Sequence, residues 1–141
     1  MSEHRTFPKP VPQLVVREAR DRAIDQAWEA CKRRVDARDG YACRVCHRRV
    51  VKTLTLCAER LERHHLVPRS IAGPLWADPR NVLVTCTACH GRLTRHEIAP
   101  SGTERFTTEA GSFLNADSPT LTFLDPTGHP SEAARHDDGT R

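Results

Sequence analysis

Two pairs of cysteines, each with two residues between its members, constrain this chain more than any other feature. Cys43 and Cys46 form the first pair, and Cys86 and Cys89 form the second. A Cys-x2-Cys pair can place two thiolates on one ion across a tight turn, and two such pairs complete a tetrahedral zinc site. His47 could replace one thiolate in principle, but four well-spaced cysteines are already available. We therefore expect a structural zinc held by four cysteines.

Length and composition favour one small domain with loose ends. The chain has 141 residues, of which 5% are aromatic and 28% are charged, so its hydrophobic core is modest. A structural zinc, with an apparent binding free energy of roughly 10–16 kcal/mol in small zinc peptides, would supply the missing stability. The two remaining cysteines, Cys31 and Cys57, are expected to be buried or half-buried thiols without a chemical role.

The sequence predicts a cytoplasmic protein without a membrane partner. No apolar run approaches the roughly 20 residues that span a bilayer, and the N-terminus leads into proline-rich sequence instead of a signal-peptide core. In a reducing compartment, the six cysteines are expected to be metal ligands and free thiols, and not a disulfide framework.

Positive charge is concentrated in the middle of the chain. Residues 38–95 hold 11 Lys/Arg and 4 Asp/Glu, a net charge of +7, whereas the whole chain carries only +4. A basic zinc domain attracts polyanions, of which nucleic acid is the obvious one. A solvated basic face without a ligand is the alternative interpretation.

The N-terminal part divides into an arm and a helix. Prolines at alternate positions make residues 1–12 an extended, flexible arm. Over residues 14–38 the apolar positions, which include Ile24, Trp28 and Val35, follow a helical period. This helix either contacts DNA or a partner through its basic side chains, or packs Trp28 on the zinc core. We favour the packing role.

After the first cysteine pair, the central part is predicted to contain three strands followed by a helix. Alternating β-branched residues predict a strand at 50–57, and residues 58–63 are ambiguous between a turn and a short helix. A second strand is expected at 63–67, followed by a proline-rich loop, and a third at 81–85. The second cysteine pair then opens a helix over 87–97.

The C-terminal part is acidic, with 3 Lys/Arg and 7 Asp/Glu in residues 104–141. A short strand is expected at 121–124, as a hairpin partner to residues near Phe106 or Phe113. From residue 129 onward too little apolar surface is available to offset the entropy of ordering, so disorder is expected.

The motifs of the central part resemble those of the HNH endonuclease family, closest to small bacterial and phage members. The resemblance rests on the entry Arg38-Asp39-Gly40-x-x-Cys43, on the pair His64-His65, and on Asn81 and His90, which eight residues separate. It covers about residues 38–97. It implies an α+β protein with a ββα-metal core and a structural four-cysteine zinc, preceded by a long helix and followed by a short β or disordered tail. Residues 13–99 then form the helix plus nuclease domain, and 100–141 the acidic extension.

The histidines supply what phosphodiester hydrolysis requires, which is a proton acceptor for water and a divalent ion. Adjacent histidines on a strand point to opposite faces, so His64 and His65 should have different tasks. By the resemblance, His64 and His90 bind the catalytic ion, His65 is the general base and Asn81 orients it. Asn81 could also be a turn residue that closes the Pro79–Arg80 loop, a role that is compatible with holding a histidine in place.

Three further features concern the same site. His96 is about 600° beyond His90 on a regular helix and so falls on the far side, whereas Thr94 takes the ligand-facing position. Arg69 and Arg92 are candidate phosphate clamps for nucleic-acid binding. The ion could be Mg²⁺, Mn²⁺, Ni²⁺ or Zn²⁺, and two imidazoles favour the last three over Mg²⁺.

The sequence therefore predicts a metal-dependent HNH endonuclease that hydrolyses DNA with one metal ion and a histidine general base. Double-stranded DNA is the expected substrate. The main alternative is a non-catalytic, zinc-stabilised nucleic-acid-binding module with a degenerate HNH fold. A thiol-based zinc redox switch is a third interpretation. Nothing in the sequence predicts an oligomeric state.

Overall fold

The computed structural model describes residues 12–49 and 60–131, and its longest element is helix α1, Gln13–Arg38. The helix predicted over 14–38 is thus confirmed. Its last turns are buried, with Val35 completely inaccessible, while Leu14 near its start is 67% exposed. Complete burial of a valine side chain contributes about 1.5–3 kcal/mol, so α1 is held at its C-terminal half. The strand predicted at 50–57, and the arm at 1–12 except for Pro12, lie outside the described residues.

Two antiparallel strands and a helix form the centre of the fold. Strand β1, Leu61–His65, pairs with β2, Val82–Cys86, and helix α2, Thr87–Thr94, follows β2 directly. The strand predicted at 63–67 is two residues too late, because the ladder ends at His65 and the N–H of Val67 donates to the Asn81 side chain instead of to β2. The strand predicted at 81–85 is confirmed to within one residue, with Asn81 in the 3₁₀ turn Pro79–Asn81 that precedes it.

Strand β2 is buried along its whole length because both of its faces are covered. Val82 and Val84 pack against α1, whereas Leu83 points the other way, into the cluster that contains the cysteines and α2. Alternate residues of a strand face opposite sides, so β2 contributes side chains to two separate hydrophobic cores.

A buried carboxylate joins the end of α1 to β2. The Asp39 side chain accepts hydrogen bonds from the guanidinium of Arg38 at 2.7 Å, that of Arg44 at 2.8 Å and the backbone N–H of Val84 at 2.9 Å. Burial alone raises the pKa of Asp39, but these donors outweigh it and hold the pKa below its ordinary value. The next residue, Gly40, takes a φ of +62°, as a turn out of a helix requires.

The described C-terminal residues form two small sheets. Strand β3, Ala99–Ser101, pairs with β6, Thr122–Leu124, and β4, Arg105–Thr108, pairs with β5, Gly111–Leu114. The short strand expected at 121–124 is therefore confirmed, but the partner expected for it is wrong. Phe106 and Phe113 lie opposite each other across β4 and β5, with ring centroids 5.8 Å apart, which leaves neither free for β6.

The ordered part of the extension reaches further than the sequence indicated. Disorder was expected from residue 129, yet the Ser131 N–H donates to the Phe123 carbonyl at 2.7 Å, and Pro130 bridges to Leu124. Phe123 and Ala116 pack in the same core as the cysteines, so the extension covers the central unit. Residues 132–141 lie outside the described residues.

Within residues 12–49 and 60–131, none of the helices combines the length and the apolar character needed to cross a bilayer.

Candidate metal centre and active-site cleft

The four cysteines of the two pairs meet in one buried cluster. Their sulfur atoms all lie within 4.8 Å of one another, and the Cys46 and Cys86 sulfurs are 3.9 Å apart. Four sulfurs around a zinc ion at roughly 2.3 Å would be separated by about 3.8 Å, so the cluster fits the ion. The set is compatible with a structural metal such as zinc. In the part of the chain that the structure describes, His47 is not a member of the cluster.

Backbone turns present the cysteine sulfurs to a common centre. The His47 N–H donates to the Cys43 carbonyl at 2.8 Å, which closes the first turn, and the Cys89 N–H points to the Cys86 sulfur at 3.4 Å across the start of α2. Hydrogen bonds from the Cys89 thiol and from backbone N–H groups outweigh burial and lower the pKa of Cys43. A thiolate is therefore stabilised here, which is the form that binds a metal.

His64 and His90 lie side by side on one face of the β1–β2 sheet. Their ring centroids are 5.3 Å apart at an angle of 73°, one ring from β1 and the other from the first turn of α2. Burial, together with smaller effects of the neighbouring His90 and His65, lowers the pKa of His64 to about 4. His64 is therefore neutral at neutral pH and keeps a lone pair for a metal ion.

Glu62 is a residue of this face that was not singled out from the sequence. It precedes His64 by two positions on β1 and so projects to the same side. One of its carboxylate oxygens lies 2.7 Å from Nδ1 of His90. The strand period could have indicated Glu62, but its contact with His90 depends on how α2 docks.

His65 points to the opposite side of β1, towards α1. Its Nε2 lies 2.7 Å from the carbonyl oxygen of Trp76, and its ring stacks on the indole of Trp28. A carbonyl only accepts, so Nε2 carries the proton and Nδ1 the lone pair. Burial lowers the pKa of His65; the bond to Trp76 opposes this shift, and the nearby Arg69 charge adds to it.

Asn81 is completely buried and ties down the loop between the two strands. Its Oδ1 accepts from the Val67 N–H at 2.7 Å, and its Nδ2 donates to the carbonyls of Val67 and Leu75, each at 3.2 Å. Leu75 directly precedes Trp76, whose carbonyl holds His65. The contacts of the Asn81 side chain are thus with the loop backbone, one residue away from the group that holds the imidazole.

Helix α2 ends earlier than the sequence indicated, which changes the position of His96. The helix was expected to extend over 87–97, but it ends at Thr94, and His96 takes a φ of +57°. The N–H groups of His96 and Glu97 bond back to the carbonyls of Leu93 at 3.1 Å and Arg92 at 2.9 Å. This is a Schellman end, in which the chain reverses.

The reversal brings His96 to the wall of the cleft that His64, His65 and His90 line. The prediction that His96 falls on the far side of a regular helix was therefore wrong. Among the described residues the only group of three or more closely spaced candidate ligands is the cysteine cluster, so His96 does not join His64 and His90 in this conformation. The Thr94 hydroxyl donates to the His90 carbonyl at 2.9 Å.

The two arginines predicted as phosphate clamps have protein contacts. The guanidinium of Arg69 lies 5.1 Å from the centroid of the Trp76 ring, close to the loop that holds His65. Arg92 donates to the Ser131 hydroxyl at 3.0 Å, a bond that a phosphate would have to replace.

A comparison with protein families relates this geometry to a known domain. Residues 43–96 match the family model described as HNH endonuclease, a segment that contains all four clustered cysteines, the histidine pair, Asn81 and His90. No curated protein and no solved structure matches the chain. The matched segment begins at Cys43 and ends at His96, where the chain reverses after α2. Over residues 43–96, which are 54 of its 141 residues, the chain therefore resembles the HNH endonuclease family.

Proposed function

We propose that this domain has the ββα-metal fold and hydrolyses phosphodiester bonds of DNA with one catalytic divalent ion. The observation that supports this most strongly is that the adjacent rings of His64 and His90 lie at a cleft of about 430 Å³, which His65 also lines although its ring turns to the α1 side of β1. A protein that only bound DNA would not need these three histidines around one cleft. The domain's match to the HNH endonuclease family is independent support.

The rings of His64 and His90 fit the ion in position, and the lowered pKa of His64 leaves that imidazole a lone pair for the ion. Their rings are adjacent, and the contact of Glu62 with Nδ1 of His90 leaves Nε2 of that ring as the ligand atom. When bound, the ion would polarise the phosphate and stabilise the leaving oxygen. Two imidazoles favour Mn²⁺, Ni²⁺ or Zn²⁺ over Mg²⁺ by ligand preference.

His65 acts as the general base in this proposal. Because Nε2 donates its proton to the Trp76 carbonyl, the Nδ1 lone pair is available to accept a proton from water. The lowered pKa keeps the ring neutral at neutral pH, which is the form that accepts protons. Asn81 serves this base as a positioning residue, because it fixes the loop that presents the Trp76 carbonyl.

DNA is the proposed substrate, and double-stranded DNA the first form to test. The surplus of positive charge in residues 38–95 favours a polyanion, and Arg69 lies next to the loop that holds His65. We retain the cytoplasm as the proposed location.

The test is cleavage of a plasmid by zinc-loaded protein in a series of divalent ions, with His65→Ala alongside. We expect nicked or linear product with at least one ion and a loss of about 10²-fold or more in His65→Ala. His47→Asn is the matched control, because His47 is exposed and asparagine tolerates its φ of +60°. If neither DNA nor RNA is cleaved with any ion, the protein is a binding module and the proposal is wrong.

A further inference from the structure

A residue outside the matched domain contacts the proposed base. The indole of Trp28, on α1, lies parallel to the imidazole of His65, with ring centroids 5.2 Å apart and planes 16° apart. The same indole lies 6.0 Å from the ring of Trp76, whose carbonyl accepts the His65 Nε2 proton. The imidazole is therefore held through its face by one element and through its edge by another.

We propose that Trp28 is a positioning residue for His65, so that α1 is part of the nuclease site. This inference rests on the proposed function. A single hydrogen bond at Nε2 tolerates a range of ring orientations about the Cβ–Cγ bond. A flat indole against the imidazole face removes this freedom and fixes the direction of Nδ1, the atom that would accept the proton.

Trp28 can exert this constraint because it is itself fixed. It packs against the cluster that contains Cys31 and Val35 of α1 and Val82 and Val84 of β2. The end of α1 is tied to β2 through Asp39. His65 lies on β1, which pairs with β2, so the indole and the imidazole are carried by elements that share one rigid core.

The alternative role for Trp28 is core packing alone, and the two roles predict different results. Loss of packing would lower stability and leave the turnover of the folded protein unchanged. Loss of positioning would lower kcat and leave both KM for DNA and the affinity for the catalytic ion unchanged, because Trp28 is expected to contact neither.

Three variants separate these roles. Trp28→Leu keeps apolar bulk but removes the aromatic face, Trp28→Phe keeps an aromatic face, and Val35→Ala destabilises the same cluster without touching His65. In folded, zinc-loaded protein we expect Trp28→Leu to lower kcat by about 10-fold or more, and Trp28→Phe to remain within about threefold of wild type. Val35→Ala should lower Tm and leave kcat unchanged. Calorimetric titration with Mn²⁺ should give the same Kd for all three variants.

Two further measurements test the role of Trp28 separately from the role of His65 as the base. The ring protons of His65 should show an upfield ring-current shift in the NMR spectrum of the wild type that Trp28→Leu loses and Trp28→Phe retains. In a His65→Ala background, adding Trp28→Leu should cost no further activity, because a residue that acts through His65 has nothing left to position.

If Trp28→Leu keeps the wild-type kcat, Trp28 is not a positioning residue. The same conclusion follows if Trp28→Leu lowers activity by the same factor in the wild type and in the His65→Ala background. Neither result contradicts the role of His65 as the base. Wild-type cleavage by His65→Ala instead overturns the base, and with it both proposals. The two failures are thus distinguishable.

Discussion

The carboxylate of Glu62 lies 2.7 Å from Nδ1 of His90, between the middle of β1 and the first turn of α2. A carboxylate only accepts, so Nδ1 of His90 carries a proton, and in the neutral ring Nε2 carries the lone pair. Metal-binding histidines commonly have such a partner on the second nitrogen, which fixes both the tautomer and the ring. The contact therefore makes Glu62 a positioning residue for a proposed metal ligand.

Removal of this contact should weaken binding of the catalytic ion. Glu62→Ala is expected to raise the Kd for Mn²⁺ by about 10–100-fold, the usual cost of losing such a partner. The measurement is calorimetric titration of zinc-loaded protein with Mn²⁺. Glu109→Ala, at an exposed turn between β4 and β5, is the control and should bind as wild type does. Unchanged binding by Glu62→Ala would exclude the role.

The cysteine cluster should carry the stability of the fold. Cys86→Ala, or chelation of the zinc, is expected to unfold the domain cooperatively, because a metal site and its core form together. Cys31→Ala is the matched control, since Cys31 is equally buried but lies in the other core, and it should cost only about 1 kcal/mol. Circular dichroism and melting temperature report both outcomes. Wild-type melting of Cys86→Ala would refute a structural metal.

Cleavage should depend on pH through His65. The pKa of His65 is lowered by burial, so the rate is expected to rise through a pKa below about 6.5 and to be level at neutral pH. Only the neutral ring accepts a proton, which sets this direction. The residual activity of His65→Ala should lack the inflection, and an unchanged profile in that variant would assign the titration to another group.

Asp39 should stabilise the fold at neutral pH and lose that effect in acid. Its pKa is lowered in the folded state, so its contribution is complete above the unfolded value of about 3.8 and is lost as pH falls through the folded value. Asp39→Asn is expected to lower the free energy of unfolding by about 2–4 kcal/mol at pH 7, with a smaller difference near pH 3. Asp25→Asn, on the exposed face of α1, should have little effect. A difference independent of pH would contradict the ionic explanation.

DNA affinity should depend on salt through individual arginines. Arg69→Ala is expected to weaken binding and to reduce the slope of log K against log salt by about 0.9, the value for one phosphate contact. Arg105→Ala, whose side chain bonds to Ser112 in the β4–β5 hairpin, is the control and should leave the slope unchanged. Fluorescence anisotropy on a short duplex measures both. An unchanged slope in Arg69→Ala would exclude that contact.

Local patterns were sufficient for much of the fold. The apolar stripe of α1, the short apolar runs of β2 and β6 and the spacing of the cysteine pairs each act over a few residues, so sequence alone located the helix, two strands and the cluster. The same local rule placed His64 and His65 on opposite faces of β1. The assigned roles of these histidines, of Asn81 and of His90 stay predictions.

What the sequence determined by itself is therefore α1, β2 and the candidate ligands, because backbone period and ligand spacing are local properties. The end of α2 is also local, since the reversal at His96 is made by hydrogen bonds back to the last turn, although the sequence prediction missed it. Tertiary structure alone decided that β6 pairs with β3, that Glu62 meets His90 and that Trp28 meets His65. Residues 28 and 65 are far apart in the chain, and their contact exists only because α1 docks on β2, a packing event that no local pattern encodes.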